Sequence, residues 1–283
     1  MIDLKLLVKN GVQFGHQTWR WNPKMAPYIW GEKNGVHLID VSKTAYQAER
    51  AAQFLEQIAS QGRSIVWCGT KKAAQGVLRD ILEQSTFPRV THRWIGGTLT
   101  NYSQVKKSIT KLLHSEDELV KADPSRYTKK ELNVLQKSVE RLQKNVGGLR
   151  TLIWPVAALV IIDVKKEHVA LKEAIAAGIP IIALIDTNGD PSGIDYVIPC
   201  NDDAPKAISI VIDHLVQAAL RGAAIAAAER PQEEHSVENT LEKMIAQVLG
   251  ADETNPADKP AKKTGPQQRP RRVMARSQTR RPN

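Results

Sequence analysis

"AALVIIDVKKEHVALKEAIAAGIPIIALIDTNGDPSGIDYVIP", residues 157–199, holds three nearly unbroken apolar runs, ending at Asp163, Asp186 and Pro199. None alternates polar with apolar, which is the pattern of parallel strands covered on both faces. Helical sequence fills about residues 166–177 between the first two runs and about residues 205–228 after the third. Strands alternating with helices imply an α/β protein: a doubly wound, mostly parallel sheet of the Rossmann or flavodoxin type, with right-handed crossovers.

The same reading extends upstream. Residues 2–10 (IDLKLLVKN) form a short amphipathic helix stopped by Gly11. A strand is expected at residues 36–41, with Ser42 as N-cap of a helix over about residues 43–61. That helix places Ala45, Ala48, Ala52, Leu55 and Ala59 on one face, and Gly62 ends it. Residues 64–68 (SIVWC) read as a strand that passes through Gly69 into a helix from about Lys71. A short strand is expected near residues 89–93.

Residues 104–149 have a different period. Leu135, Val139, Leu142 and Val146 are spaced as a heptad stripe. The preceding arm offers Val105, Ile109, Leu112 and Leu119, with Glu116 at the seam, and "ADPSRYT" (122–128) makes the turn. This predicts an antiparallel coiled-coil hairpin inserted between βα units. The globular α/β domain then comprises residues 1–103 and 150–230. One more short helix is expected at 237–249, within a C-terminal region 231–250. Residues 251–283 are rich in Pro, Lys, Arg and Gln, and are expected to be a basic, disordered tail.

The composition narrows the function. With 283 residues and 42% hydrophobic content, the chain can bury a sizeable core. No uninterrupted apolar run approaches the roughly 18 to 20 residues that span a bilayer, and the first residues show no signal-peptide pattern. Cys68 and Cys200 form neither a zinc spacing nor a disulfide framework, so a reduced compartment and no metal or cofactor are expected. The net charge of +10 is uneven: +8 over residues 1–110, +3 over 111–150, −9 over 151–255 and +8 over 256–283. Basic ends around an acidic section favour a polyanion partner over a membrane.

A nucleotide-dependent enzyme is the first alternative for such a sheet. The turn "CGTKKAAQG" lacks the order G-x-G-x-x-G, and Val77 follows Gly76 where a P-loop needs lysine. Asp163 and Asp186 end strands, where catalytic acids sit. Asp186, Asn188 and Asp190 also fit turn chemistry, bonding nearby backbone amides, and this structural reading is preferred to a magnesium site. His16 has no inferable base partner and reads as a hydrogen-bonding loop residue. No catalytic residue is assigned.

"WRWNPKMAPYIWGEKNG" (19–35) carries three of the six tryptophans among Arg20, Lys24 and Lys33. Pro23 and Pro27 break any helix there, and no alternation marks a strand. Trp19 and Trp21 can stack on bases or ribose, the cations can neutralise phosphate, and Asn22 can meet a base edge or sugar hydroxyl. Trp30 serves equally well as core. "THRWIGGTLTNY" (91–102) repeats the chemistry with Arg93, Trp94, Thr98, Asn101 and Tyr102, while Gly96 and Gly97 let backbone approach a phosphate. Lys71 and Lys72 start a helix beside a glycine turn, a favourable phosphate position. Lys106 and Lys107 offer a solvated helix face or RNA contacts. A protein-docking scaffold built on the hairpin and acidic section is a further role compatible with RNA binding.

Several long motifs together resemble the bacterial ribosomal protein S2 family: "GVQFGHQTWRWNPKMAPYIWGEKNGVHLIDVSKT" (11–44), "GTKKAAQ" (69–75), "RWIGGTLTNY" (93–102), "TKKE" (128–131) and the run from residue 160 to 208. The resemblance implies a three-layer α/β domain with a protruding coiled-coil hairpin. It also implies a non-catalytic role in the small ribosomal subunit, binding 16S-type rRNA near the head–body junction on the solvent side. Neighbouring small-subunit proteins, including the large messenger-binding protein, are the implied protein partners, with no membrane and no homo-oligomer. RNA contact is carried onto His16, Gln17, Thr18, Trp19, Arg20, Trp21, Asn22, Pro23, Lys24 and Met25, onto Lys71 and Lys72, and onto the matching residues from Arg93 to Tyr102. The implied location is the ribosome of a cytoplasm, or of a plastid, since cyanobacterial and plastid relatives share these motifs.

Overall fold

The structure, a computed structural model, describes residues 2–83, 85–121 and 127–249, with side chains up to residue 228. In chain order the elements are α1 (Leu4–Lys9), β1 (Phe14–Gln17), β2 (Ile29–Lys33), β3 (Val36–Ile39), α2 (Val41–Ser60), β4 (Ser64–Cys68), α3 (Lys72–Leu82) and β5 (Arg89–Val90). Then come α4 (Tyr102–Lys121), α5 (Lys129–Val146), β6 (Val156–Ile162), α6 (His168–Ala177), β7 (Ile181–Ile185), β8 (Tyr196–Pro199) and α7 (Pro205–Leu249). The chain separates into units 1–233 and 234–283, and every strand among the described residues belongs to the first. The expected tail at 251–283 lies outside the described residues. The region expected as a separate short helix carries the helical backbone of α7 as far as Leu249.

The main sheet has the order β5-β4-β6-β7-β8, and every neighbouring pair is parallel. Counted in chain order this is the flavodoxin-type order, which reverses between β4 and β6. All residues of β6 and β7 are buried, as their unbroken apolar sequence requires. Their side chains alternate between two cores. Trp67, Val160, Ile162, Ile182 and Leu184 join the core made with α1, α2, α3 and α7. Cys68, Leu159, Ile161, Ala183 and Ile185 join the core made with α6 and the bases of α4 and α5. Residues 205–228 of α7 are long and apolar enough to cross a membrane by composition, but Ile208, Val211, Ile212 and Leu215 are fully buried against the sheet. Both cysteines are free and buried.

Helices α4 and α5 pack along each other. Val105, Ile109 and Leu112 meet Val139 and Val146 in the second core. Glu116 leaves the seam and pairs with Arg150, while Ser115 takes a buried position. Thr128 and Glu131 form a reciprocal capping box at the start of α5.

The aromatic segment departs from expectation. It contains the strand β2, and residues 36–39 are the middle of a second, antiparallel sheet of order β1-β3-β2. Asn34 and Gly35 both take positive φ (53° and 74°), the turn that joins β2 to β3. The cap of α2 is Asp40, whose side chain accepts from the Ser42 N–H at 3.0 Å, in place of the expected Ser42. The strand expected near 89–93 is only the two residues of β5.

Candidate nucleic-acid interface

The amino-terminal segment is fastened to the carboxyl end of the main sheet. His16 N–H donates to Thr187 Oγ1 at 2.9 Å, and Asn22 N–H donates to the Thr187 carbonyl at 2.8 Å. Gly15 permits this approach, because a Cβ there would sit 2.5 Å from Thr187 Cγ2. Asn201 adds a bond from Nδ2 to the Gly11 carbonyl at 3.1 Å. Two short 3₁₀ turns, Thr18–Arg20 and Pro23–Tyr28, carry the chain outward. Asn22 Oδ1 caps the second by accepting from Lys24 N–H at 3.0 Å. Met25 anchors that turn from inside: it is fully buried in the second core, so its side chain positions the loop and leaves contact to its neighbours.

The outer side is aromatic and cationic. Trp19 is 77% exposed, with the Arg20 guanidinium 5.4 Å from its ring centroid and its Nε1–H donated to Gln17 Oε1 at 2.9 Å. Trp21 packs against His37 with ring centroids 5.2 Å apart and keeps part of its surface open. Trp30, on β2, is 75% exposed, so it is no part of the core. Thr18 is half-buried, and Gln17, Arg20 and Pro23 are exposed.

Two expected phosphate ligands have other partners. Lys24 Nζ lies 2.9 Å from Asp190 Oδ2 and donates to Ser192 Oγ at 2.8 Å. Bonds from Ser192 and then Lys24 hold the Asp190 carboxyl down at about 2. Lys71 Nζ lies 2.7 Å from Asp202, 2.6 Å from Asp203 and 3.6 Å from Asp163. Burial pulls the Lys71 pKa down, but these carboxylates outweigh it and raise it. Lys71 thus neutralises its own chain's acids, whereas Lys72 beside it is exposed. Asp202 is pushed up to about 7 by burial and by Asp186 and Asp163, against the pull of Lys71. His16 Nδ1 lies 2.9 Å from Asp186, and that hydrogen bond raises the imidazole pKa over the opposing effect of burial. Among the described residues, His16, Asp186, Asp202 and Asp203 present donor atoms within 4.8 Å of one another and are a group that could share a cation. The Lys71 ammonium already touches two of them.

This cluster sits where the strand order reverses, the usual nucleotide crevice of a doubly wound sheet. Glu167 occupies it instead. Its Oε1 accepts from the Thr70 N–H at 2.9 Å and also meets the Thr70 hydroxyl, while Lys166 Nζ donates to the Thr70 carbonyl at 2.8 Å. A nucleotide phosphate would face the carboxylates of Glu167 and Asp163, both repulsive.

The glycine loop is also internally satisfied. Glu173 on α6 accepts from Trp94 Nε1–H at 3.1 Å and Gly97 N–H at 2.8 Å through Oε1, and from Leu99 N–H at 3.0 Å through Oε2. The backbone amides expected to cradle a phosphate therefore already hold a carboxylate. Trp94 and Thr98 are buried, and Gly97 has φ 92°. Arg93, Gly96, Asn101, Lys106 and Lys107 are exposed, and Tyr102 is half-buried with its hydroxyl donated to the Leu152 carbonyl at 2.9 Å. Met25 and Trp94 share the second core, so the two basic-aromatic segments rest on one foundation. Thr187, Glu173 and the acidic pair Asp202–Asp203 were not singled out from sequence, whereas Asp190 was read as a turn residue and accepts from the Ser192 N–H at 3.0 Å.

Residues 7–222 match the family described as Ribosomal protein S2. The chain is 44% identical over 227 residues to "Small ribosomal subunit protein uS2" of Chloroherpeton thalassium, a match covering 80% of this chain and 91% of that relative. Two thirds of the chain and more are thus accounted for, and the chain belongs to the ribosomal protein S2 family.

Proposed function

We propose that this chain, a structural and non-catalytic protein of the small ribosomal subunit, binds small-subunit rRNA through the outer side of its amino-terminal segment. The observation that carries this is the exposed Trp19 ring with Arg20 stacked over it, held out by a loop pinned at Thr187. A flat apolar face beside a fixed cation suits an unpaired base and its phosphate. Trp21, Lys72 and Arg93 extend the surface, Gln17, Asn22 and Asn101 supply amides, and Lys106 and Lys107 offer further cations on α4. Met25, Trp94, Gly97, Thr98 and Lys71 shape it from within. The family resemblance supports a position near the head–body junction on the solvent side, in a cytoplasmic ribosome. The helix pair within residues 104–149 and the acidic section are the surfaces for neighbouring proteins, including the large messenger-binding protein.

The test is reconstitution of small subunits with Trp19→Ala plus Arg20→Glu. Incorporation should fall at least about ten-fold, as expected for one stacked base and one charge contact, while the thermal melt of the free protein stays unchanged. Normal incorporation of that variant would discard this reading.

A further inference from the structure

We infer that Trp154, stacked on Tyr102 at the opposite end of the sheet, is a second platform for an unpaired nucleobase; this rests on the rRNA reading above. The two rings lie 5.2 Å apart at 12°, a near-parallel stack. Tyr102 is fixed in turn by its bond to the Leu152 carbonyl. Trp154 gives one face to Tyr102 and remains 43% exposed, and its neighbour Ile153 is 61% exposed. A stacked pair with an open outer face is preorganised for a third ring, since the indole's orientation is already set before binding.

Charge selects the occupant. Tyr102 opens α4, whose amino end carries partial positive charge. Lys106 follows one helical turn later on the same side, with Lys107 beside it. Both are exposed and form no ion pair among the described residues, unlike Lys24 and Lys71. Free cations on the helix that Tyr102 opens fit a base with its phosphate better than an apolar side chain of a neighbouring protein, which would leave the lysines unmatched. The seven residues of β6 separate this platform from the Asp163 end of the sheet, roughly 20 Å at the usual rise per residue. The protein would then hold RNA at two points, one at each end of its sheet.

The experiment is ultraviolet crosslinking of small subunits reconstituted with the full chain, followed by mass spectrometry of nucleotide-bearing peptides. A nucleotide adduct on the peptide 151–165 at Trp154 is expected. Trp154→Phe should assemble like the parent, and Trp154→Leu should lower competitive incorporation about ten-fold, within the span for one stacked base. Adducts on the 16–25 segment but none at Trp154, or a protein neighbour crosslinked there instead, overturn the platform and leave the first RNA surface standing. Adducts at neither place overturn both.

Discussion

Glu173 closes the turn at Gly97: a carboxylate on α6 accepts the Gly97 N–H at 2.8 Å, together with Trp94 Nε1–H and Leu99 N–H. The glycine pair that resembles an anion cradle holds an anion supplied by the chain itself. Its role in the fold is therefore placement of the exposed Arg93, Gly96 and Asn101.

Replacing that carboxylate tests the arrangement. Glu173→Gln keeps the shape but removes the charge and turns one acceptor into a donor, leaving amides short of a partner. A loss of about 1–3 kcal/mol is expected, the range for an unsatisfied buried donor, read as a lowered urea midpoint at constant slope. Proteolysis within residues 93–101 should quicken in parallel. A variant as stable as the parent would show that the loop stands without Glu173.

Lys71 separates charge that is spent internally from charge left for a partner. With Asp202, Asp203 and Asp163 around it, Lys71→Met leaves the buried Asp202 without its partner and should cost about 1–3 kcal/mol. The salt dependence of rRNA binding should stay the same. Lys106→Gln should do the reverse, sparing stability and reducing the salt slope by about 1. A reduced slope for Lys71→Met, measured on folded protein at low temperature, would return Lys71 to the phosphate contacts.

These residues also show what the sequence could carry. Strands β6 and β7 were readable because burial on both faces writes an unbroken apolar run. The helix pair was readable because its stripe repeats locally. Of the small sheet only the middle strand was readable, because its outer strands are short and half exposed; the Asn34-Gly35 turn beside it was a further local sign. The basic residues were visible as charge, yet their availability depends on distant partners. Lys24 meets Asp190 across 166 positions and Lys71 meets Asp202 across 131. Spacing along the chain carries no signal of such pairs, so it cannot tell the exposed Trp19 and Arg20 from Lys71, whose charge is met within the chain.

The acidic cluster makes stability depend on pH in a definite direction. Asp202 is raised to about 7, against about 3.9 when unfolded. Between those values the folded protein holds a proton that the unfolded chain has lost, so stability falls as pH rises from about 4 to about 7. His16, raised above 6.5, adds to the loss as pH climbs through its folded value. The parent should therefore resist urea better at pH 5.5 than at pH 8. Asp202→Asn should flatten that difference. An unchanged pH dependence in the variant would mean that Asp202 holds no such proton.

Gly15 and Thr187 form a steric pair that fastens the amino-terminal segment to the sheet. A Cβ at Gly15 would lie 2.5 Å from Thr187 Cγ2 and 2.9 Å from Oγ1, so Gly15→Ala must push β1 away from the β7 end. The cost should be about 1–3 kcal/mol, as for overpacking. His16 N–H and Asn22 N–H would lose their Thr187 acceptors, and subunit incorporation should drop through a misplaced Trp19. Thr187→Ser removes the closest methyl and keeps the hydroxyl, so it should be mild alone. Combined with Gly15→Ala, it should recover part of both the stability and the incorporation, giving a favourable coupling energy in a double-mutant cycle. Additive losses would place the strain of Gly15→Ala elsewhere and dissolve the link between this contact and the RNA surface.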